Sequence, residues 1–160
     1  MHLSSAPRLA ARLTTFGLGC CAAMAALAAM SAHAETFEVK MLNRGPHGAM
    51  VYEPEFIQAA PGDTIQFRAS SNGHDAVSIA GMAPAGATAF RGKVNEEIAV
   101  TLTEPGWYGI KCQPHYAMGM VMLVRVGDAL LAQLQVPEEV PESARQRFQD
   151  IAARAQSLTK

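Results

Sequence analysis

Between Thr36 and Val126, apolar and polar residues alternate in short runs separated by turn residues. Phe37, Val39 and Met41 alternate with Glu38 and Lys40, the period of a strand with one buried face. Pro61-Gly62-Asp63 turns the chain into Thr64–Arg68, in which Ile65 and Phe67 share a face. Ala76–Ile79 is a short strand candidate, Ile98–Leu102 alternates cleanly, and Pro105-Gly106 leads into Trp107–Lys111. Met120–Val126 is almost continuously apolar, as expected of a strand covered on both sides. Six or more such segments with regular turns predict an antiparallel sandwich or barrel. After Gly127 the period changes. Ala129–Gln135 is a candidate short helix, and from Pro141 onward Ala144, Phe148, Ile151, Ala152, Ala155 and Leu158 fall on one helical face. Pro141 and Glu142 suit the start of that helix. The pattern thus predicts a two-helix extension over 129–160, with the longer helix covering part of the sandwich.

The N-terminus follows a different logic. Arg8 and Arg12 precede an apolar stretch from Phe16 to Met30 that ends in Ala32-His33-Ala34, which reads as a secretory signal peptide over 1–34. Gly17, three residues before Cys20, stands where a lipoprotein signal has a large aliphatic residue, which argues against lipid attachment. Removing 34 of the 160 residues leaves 126, enough for one domain with a core. The net charge moves from −1 to about −3 as the two arginines leave, and no basic tract suggests nucleic acid. Cys20 and Cys21 leave as well, so Cys112 stands alone. A lone thiol in an exported chain has no intramolecular disulfide partner, and a metal is the simplest occupant.

Chemistry concentrates around that cysteine. Cys112, His115, Met118 and Met120 lie within nine residues, and His74 stands upstream behind Gly73. Thiolate, two imidazoles and a thioether form the ligand set of a mononuclear copper electron-transfer site, acceptable to both Cu(II) and Cu(I). The expected mature chain has three histidines, and His47 sits in Arg44-Gly-Pro-His47-Gly48, a turn with no second donor beside it. His74 is followed by a strand that would hold its imidazole at the mouth of a sandwich, and the next residue can aim a backbone N–H at the sulfur. Met118 and Met120 both follow His115 closely, with Gly119 between them, and residue chemistry alone does not choose between them. A structural zinc site wants four strong ligands where only three exist here. A cysteine hydrolase is disfavoured because Cys112 and His115 share one short loop across Pro114 and no oxyanion segment is evident.

The run Lys111-Cys-Gln-Pro-His115-Tyr-Ala-Met-Gly-Met120 resembles the small blue copper proteins, the cupredoxins, and within them the pseudoazurin family. Gly48-Ala-Met-Val51, Ala60-Pro-Gly-Asp-Thr64, Gly73-His74 and Pro105-Gly-Trp-Tyr-Gly109 extend the similarity over nearly all of 35–160. The resemblance implies a Greek-key β-sandwich of about eight strands over 35–128, carrying the helical extension. It also implies one type 1 copper, with His74, Cys112 and His115 as equatorial ligands, Met120 as axial ligand and Met118 on the apolar rim of His115. The implied role is that of a monomeric periplasmic electron carrier, not an enzyme, donating to a nitrite or nitrous oxide reductase of denitrification. Docking is expected around His115 with Arg44, Arg91, Lys93 and Lys111. Two departures stand out. Asp75 occupies the usual asparagine position, and lacking an amide donor it removes one expected tie between the ligand loops. Asn72 stands where a lysine is common in the docking ring. A copper reductase would need a second metal site that His47 alone cannot supply. Copper carriage without redox turnover is the alternative reading, although carriers usually expose several exchange ligands, whereas Pro114 closes this loop.

Overall fold

The computed structural model describes residues 33–158, so the expected signal peptide lies, but for its last two residues, outside the described residues. Eight strands form two four-stranded sheets. One sheet has the order β2 (Gly48–Glu53), β1 (Thr36–Gly45), β4 (Asp63–Arg68), β6 (Ile98–Leu102). The other runs β3 (Phe56–Ala59), β8 (Val121–Val126), β7 (Gly106–Lys111), β5 (Val77–Ser78). The pairings are not all antiparallel: β1 runs parallel to β4, and β3 parallel to β8. Both parallel pairs join strands far apart in sequence, which the alternation of residues within one strand cannot register.

The predicted alternations face as expected. Val39 and Met41 of β1 are fully buried beside Ile65 and Phe67 of β4, and they meet Tyr108, Ile110, Met122, Val124 and Val126 in the core between the sheets. At the predicted Pro61-Gly62-Asp63 turn, Asp63 accepts hydrogen bonds from the amides of Ala60 (2.7 Å) and Glu35 (2.8 Å), fastening the start of β1 to β4. Strands β2 and β3 were not evident from alternation, because Val51 and Tyr52 are buried consecutively and β3 is four residues long.

Strand β8 is covered on both faces. Met122, Val124 and Val126 point into the inter-sheet core. Val121 and Leu123 face the other way, toward the helix α1 (Glu142–Leu158). Of the predicted apolar face of α1, Ala144, Phe148 and Ile151 are fully buried and Ala152 and Ala155 nearly so. Burying side chains such as Phe148 and Ile151 contributes about 1.5–3 kcal/mol each. The predicted second helix over Ala129–Gln135 is instead a single 3-10 turn, Leu131–Gln133. Leu130 before it and Leu134 after it are extended, and Pro137, three residues beyond Leu134, biases Val136 away from helix. Among the described residues, the extension therefore contains one α-helix.

Candidate metal centre

His74 lies in the loop before β5, and Cys112 follows the last residue of β7. Because Val77 of β5 pairs with Lys111 of β7, the sheet itself brings the two segments together. The chain then turns back through His115 and a 3-10 turn, Tyr116–Met118, into β8. Amides close this loop on itself: Cys112 N–H donates to the Met120 carbonyl at 3.0 Å, and Met120 N–H to the His115 carbonyl at 3.2 Å.

Three donor atoms converge. Cys112 Sγ lies 3.7 Å from His74 Nδ1 and 3.4 Å from His115 Nδ1, and the two Nδ1 atoms are 3.1 Å apart. Nitrogen and sulfur ligands bind first-row ions at about 2.0–2.3 Å, which sets neighbouring donors roughly 3.1–3.7 Å apart for bond angles of about 100–120°. The observed triangle fits an ion between the three.

The surroundings prepare each donor. His74 is completely buried, and its Nε2 lies 2.8 Å from Asn43 Oδ1. An amide oxygen can only accept, so the proton sits on Nε2 and the Nδ1 lone pair faces the triangle. Burial, and next the neighbouring His115, lowers the His74 pKa, which favours the neutral imidazole that a metal requires. Burial also pushes the Cys112 thiol up to about 11, against backbone N–H groups of Asp75 and His115 that favour the thiolate. A thiol so protected is a poor nucleophile, whereas a bound cation would displace its proton.

The two methionines between which residue chemistry alone does not choose differ in exposure. Met118 is 55% exposed, while Met120 is fully buried in the same core cluster as Cys112. Of the four cations singled out for docking, Arg44, Arg91 and Lys93 are exposed, and half-buried Lys111 holds its Nζ 4.6 Å over the Tyr116 ring. His47 is not near the triangle's donor set; it sits in the β1–β2 turn with Nε2 3.8 Å from Glu55 Oε1.

Residues 39–127 match the model of the copper binding proteins, plastocyanin/azurin family. A pseudoazurin of Paracoccus pantotrophus is 52% identical over 110 residues, which is 68% of this chain and 76% of that protein. The chain belongs to the pseudoazurin family. A pseudoazurin of Methylorubrum extorquens is 46% identical over 106 residues, 66% of this chain and 72% of that one. The crystal structure of pseudoazurin from Methylobacterium extorquens AM1 superposes with a TM-score of 0.69 at 40% identity, covering 75% of this chain and 98% of the other.

As a pseudoazurin, the chain is an electron-transfer copper protein and not an enzyme. The expectation that Asp75 weakens this pseudoazurin's loop clamp is corrected by the hydrogen bonds. Gln113 N–H donates to Asp75 Oδ1 at 2.6 Å, so the carboxylate ties the His74 loop to the Cys112 loop by accepting rather than donating. Tyr52, buried in the core, holds the Asp75 carbonyl through its hydroxyl at 2.7 Å. Asn95 Oδ1 accepts the Gly73 amide at 2.6 Å, fixing the approach to His74. Sequence reasoning assigned none of these roles. Only Asn43 left a signal: though exposed itself, it stands two residues beyond Met41, on the same side of β1 as Val39 and Met41.

Proposed function

We propose that this chain is a periplasmic carrier that shuttles single electrons through one type 1 copper held by His74, Cys112, His115 and Met120. The observation that carries the reading is the triangle of two imidazole nitrogens and one buried thiol, all within 4.8 Å. When bound, copper supplies a one-electron Cu(II)/Cu(I) couple. The residues supply everything else. Asn43 holds the His74 tautomer, the Asp75 carboxylate holds the Cys112 loop, and the core excludes water from the sulfur. His115 is half-exposed and joins the buried donors to the surface. The burial of Met120 beside Cys112 supports it over Met118 as the axial thioether.

Exposed Met118 and the cations Arg44, Arg91, Lys93 and Lys111 give the chain an apolar and basic surface suited to an acidic redox partner. A nitrite or nitrous oxide reductase of denitrification is the acceptor we assign. Export by the signal peptide at 1–34 would place the folded chain in the periplasm as a monomer. Adding Cu(II) to the purified protein tests the reading. It should produce an intense thiolate charge-transfer band that bleaches with reductant and is absent in Cys112→Ser; a colourless protein that retains metal would refute it and favour carriage.

A further inference from the structure

The apolar face of α1 explains why the helix packs on β8, but not what its first turn does. That turn stands over the loop that carries His115 and Met120. Ser143 Oγ donates a 2.5 Å hydrogen bond to the Ala117 carbonyl, in the middle of the 3-10 turn between those two residues. At the exit of the turn, Gly119 is left-handed, with φ 85°. A Cβ there would lie 2.9 Å from the Ser143 carbonyl oxygen. The turn and the helix thus meet without a side chain between them. Tyr116 packs against the cluster containing Val140, Ala144 and Phe148, closing the contact from the other side.

Such contact matters because a 3-10 turn is weak by itself. Its hydrogen-bond geometry is poor, and its carbonyls lack continuing partners. Here the turn is three residues long, and amides in it and just after it hold His115 directly: Met118 N–H and Met120 N–H both donate to the His115 carbonyl, at 3.0 and 3.2 Å. Anything that lets the turn open therefore moves both ends of the loop. The far part of α1 is anchored separately, since Arg154 Nε donates to the nearly buried carboxylate of Glu55 at 2.8 Å. One rigid element fixes the loop at one end and the β2–β3 connection toward the other.

We infer that α1 is a brace for the metal loop and that Ser143 is a positioning residue for His115 and Met120, acting through the Ala117 carbonyl. This rests on the copper reading above for its functional meaning, but the brace itself is a property of the protein chain. Losing Ser143 should leave the fold intact and loosen the turn.

Ser143→Ala, Ser143→Thr and Ser157→Ala separate these roles. Ser157 Oγ donates to the Arg154 carbonyl within α1, so its removal perturbs the same helix away from the loop. Amide hydrogen exchange of the metal-free protein reads the brace without copper. In Ser143→Ala the amides of Met118, Gly119 and Met120 should exchange about tenfold faster, the worth of one hydrogen bond. Ser143→Thr should restore protection and Ser157→Ala should leave it unchanged. In the copper-loaded protein, Ser143→Ala should lose about tenfold in copper affinity, the lower end for residues supporting a metal ligand, and change the ratio of its thiolate absorption bands. Unaltered exchange at those amides in Ser143→Ala, or equal acceleration in Ser157→Ala, overturns the brace whatever the copper result. A wild-type protein that takes up no colour with copper would instead refute the electron-transfer reading, while the exchange experiment still decides the brace.

Discussion

Replacing Asp75 by asparagine isolates the effect of one buried charge on the redox couple. Asparagine keeps the Oδ1 acceptor for Gln113 N–H, so the 2.6 Å clamp survives in form, and it is nearly isosteric within a site where Asp75 is only 4% exposed. What disappears is a negative charge in the residue that clamps the peptide following Cys112. Adding an electron to the centre adds negative charge close to that carboxylate, so Asp75 opposes reduction. At a separation of about 5 Å and an effective dielectric near 20, the repulsion is about 3 kcal/mol. Since about 1.4 kcal/mol corresponds to 59 mV for one electron, the ceiling is about 130 mV. Solvent at the half-exposed His115 edge reduces it, and a rise of about 50–100 mV in Asp75→Asn is expected. Against this, the clamp changes from a charged to a neutral acceptor, which weakens it by roughly 1 kcal/mol. Cyclic voltammetry of the two copper-loaded proteins in the same buffer measures the shift, and thermal unfolding measures the clamp. A potential that falls, or that stays within about 10 mV, refutes the assignment of Asp75 as an electrostatic determinant.

Phe148→Ala should destabilise the protein by about 3–5 kcal/mol, because it empties the centre of the contact between α1 and β8; urea unfolding followed by circular dichroism checks this, and a loss below about 1 kcal/mol would contradict the packing. In metal-free protein the Cys112 thiol, raised from an ordinary 9.0 to about 11, should hold about a hundredfold less thiolate at pH 8. Alkylation by iodoacetamide should therefore be slower by at least that factor than in guanidinium-unfolded protein, and equal rates would count against a buried thiol. Electron transfer to an acidic acceptor should slow as ionic strength rises if Arg44, Arg91, Lys93 and Lys111 steer the encounter, and stopped-flow rates indifferent to salt would remove them from the docking surface.

What was legible in the sequence followed from local pattern or from counting. Val39, Met41, Ile65 and Phe67 declare their strand faces by alternation, and the run Val121–Val126 declares burial on both sides. The helical face from Ala144 to Ala155 is equally plain. Cys112 was singled out because the expected export would leave it alone, and the structure brings His74 and His115 to it. Illegible features depend on partners far along the chain. Nothing near Asp75 announces Gln113, nothing near Ala117 announces Ser143, and Glu55 meets Arg154 across 99 residues. Which of Met118 and Met120 is buried belonged to the same class, since it turns on which side of a glycine faces the core. The second helix expected over Ala129–Gln135 left no such trace, since within that segment only Leu131–Gln133 form a 3-10 turn.

The covering of β8 by α1 also bears on assembly state. Ile79, Met82, Trp107, Val121 and Leu123 form a contiguous apolar wall on the outside of the second sheet, sealed by the helix of the same chain. A chain shortened to end at Gly127 would present that wall to solvent, and exposed surfaces of this kind recruit partners or aggregate. The tail therefore acts as a built-in substitute for a neighbouring subunit: it satisfies the back of the sheet from within the same chain.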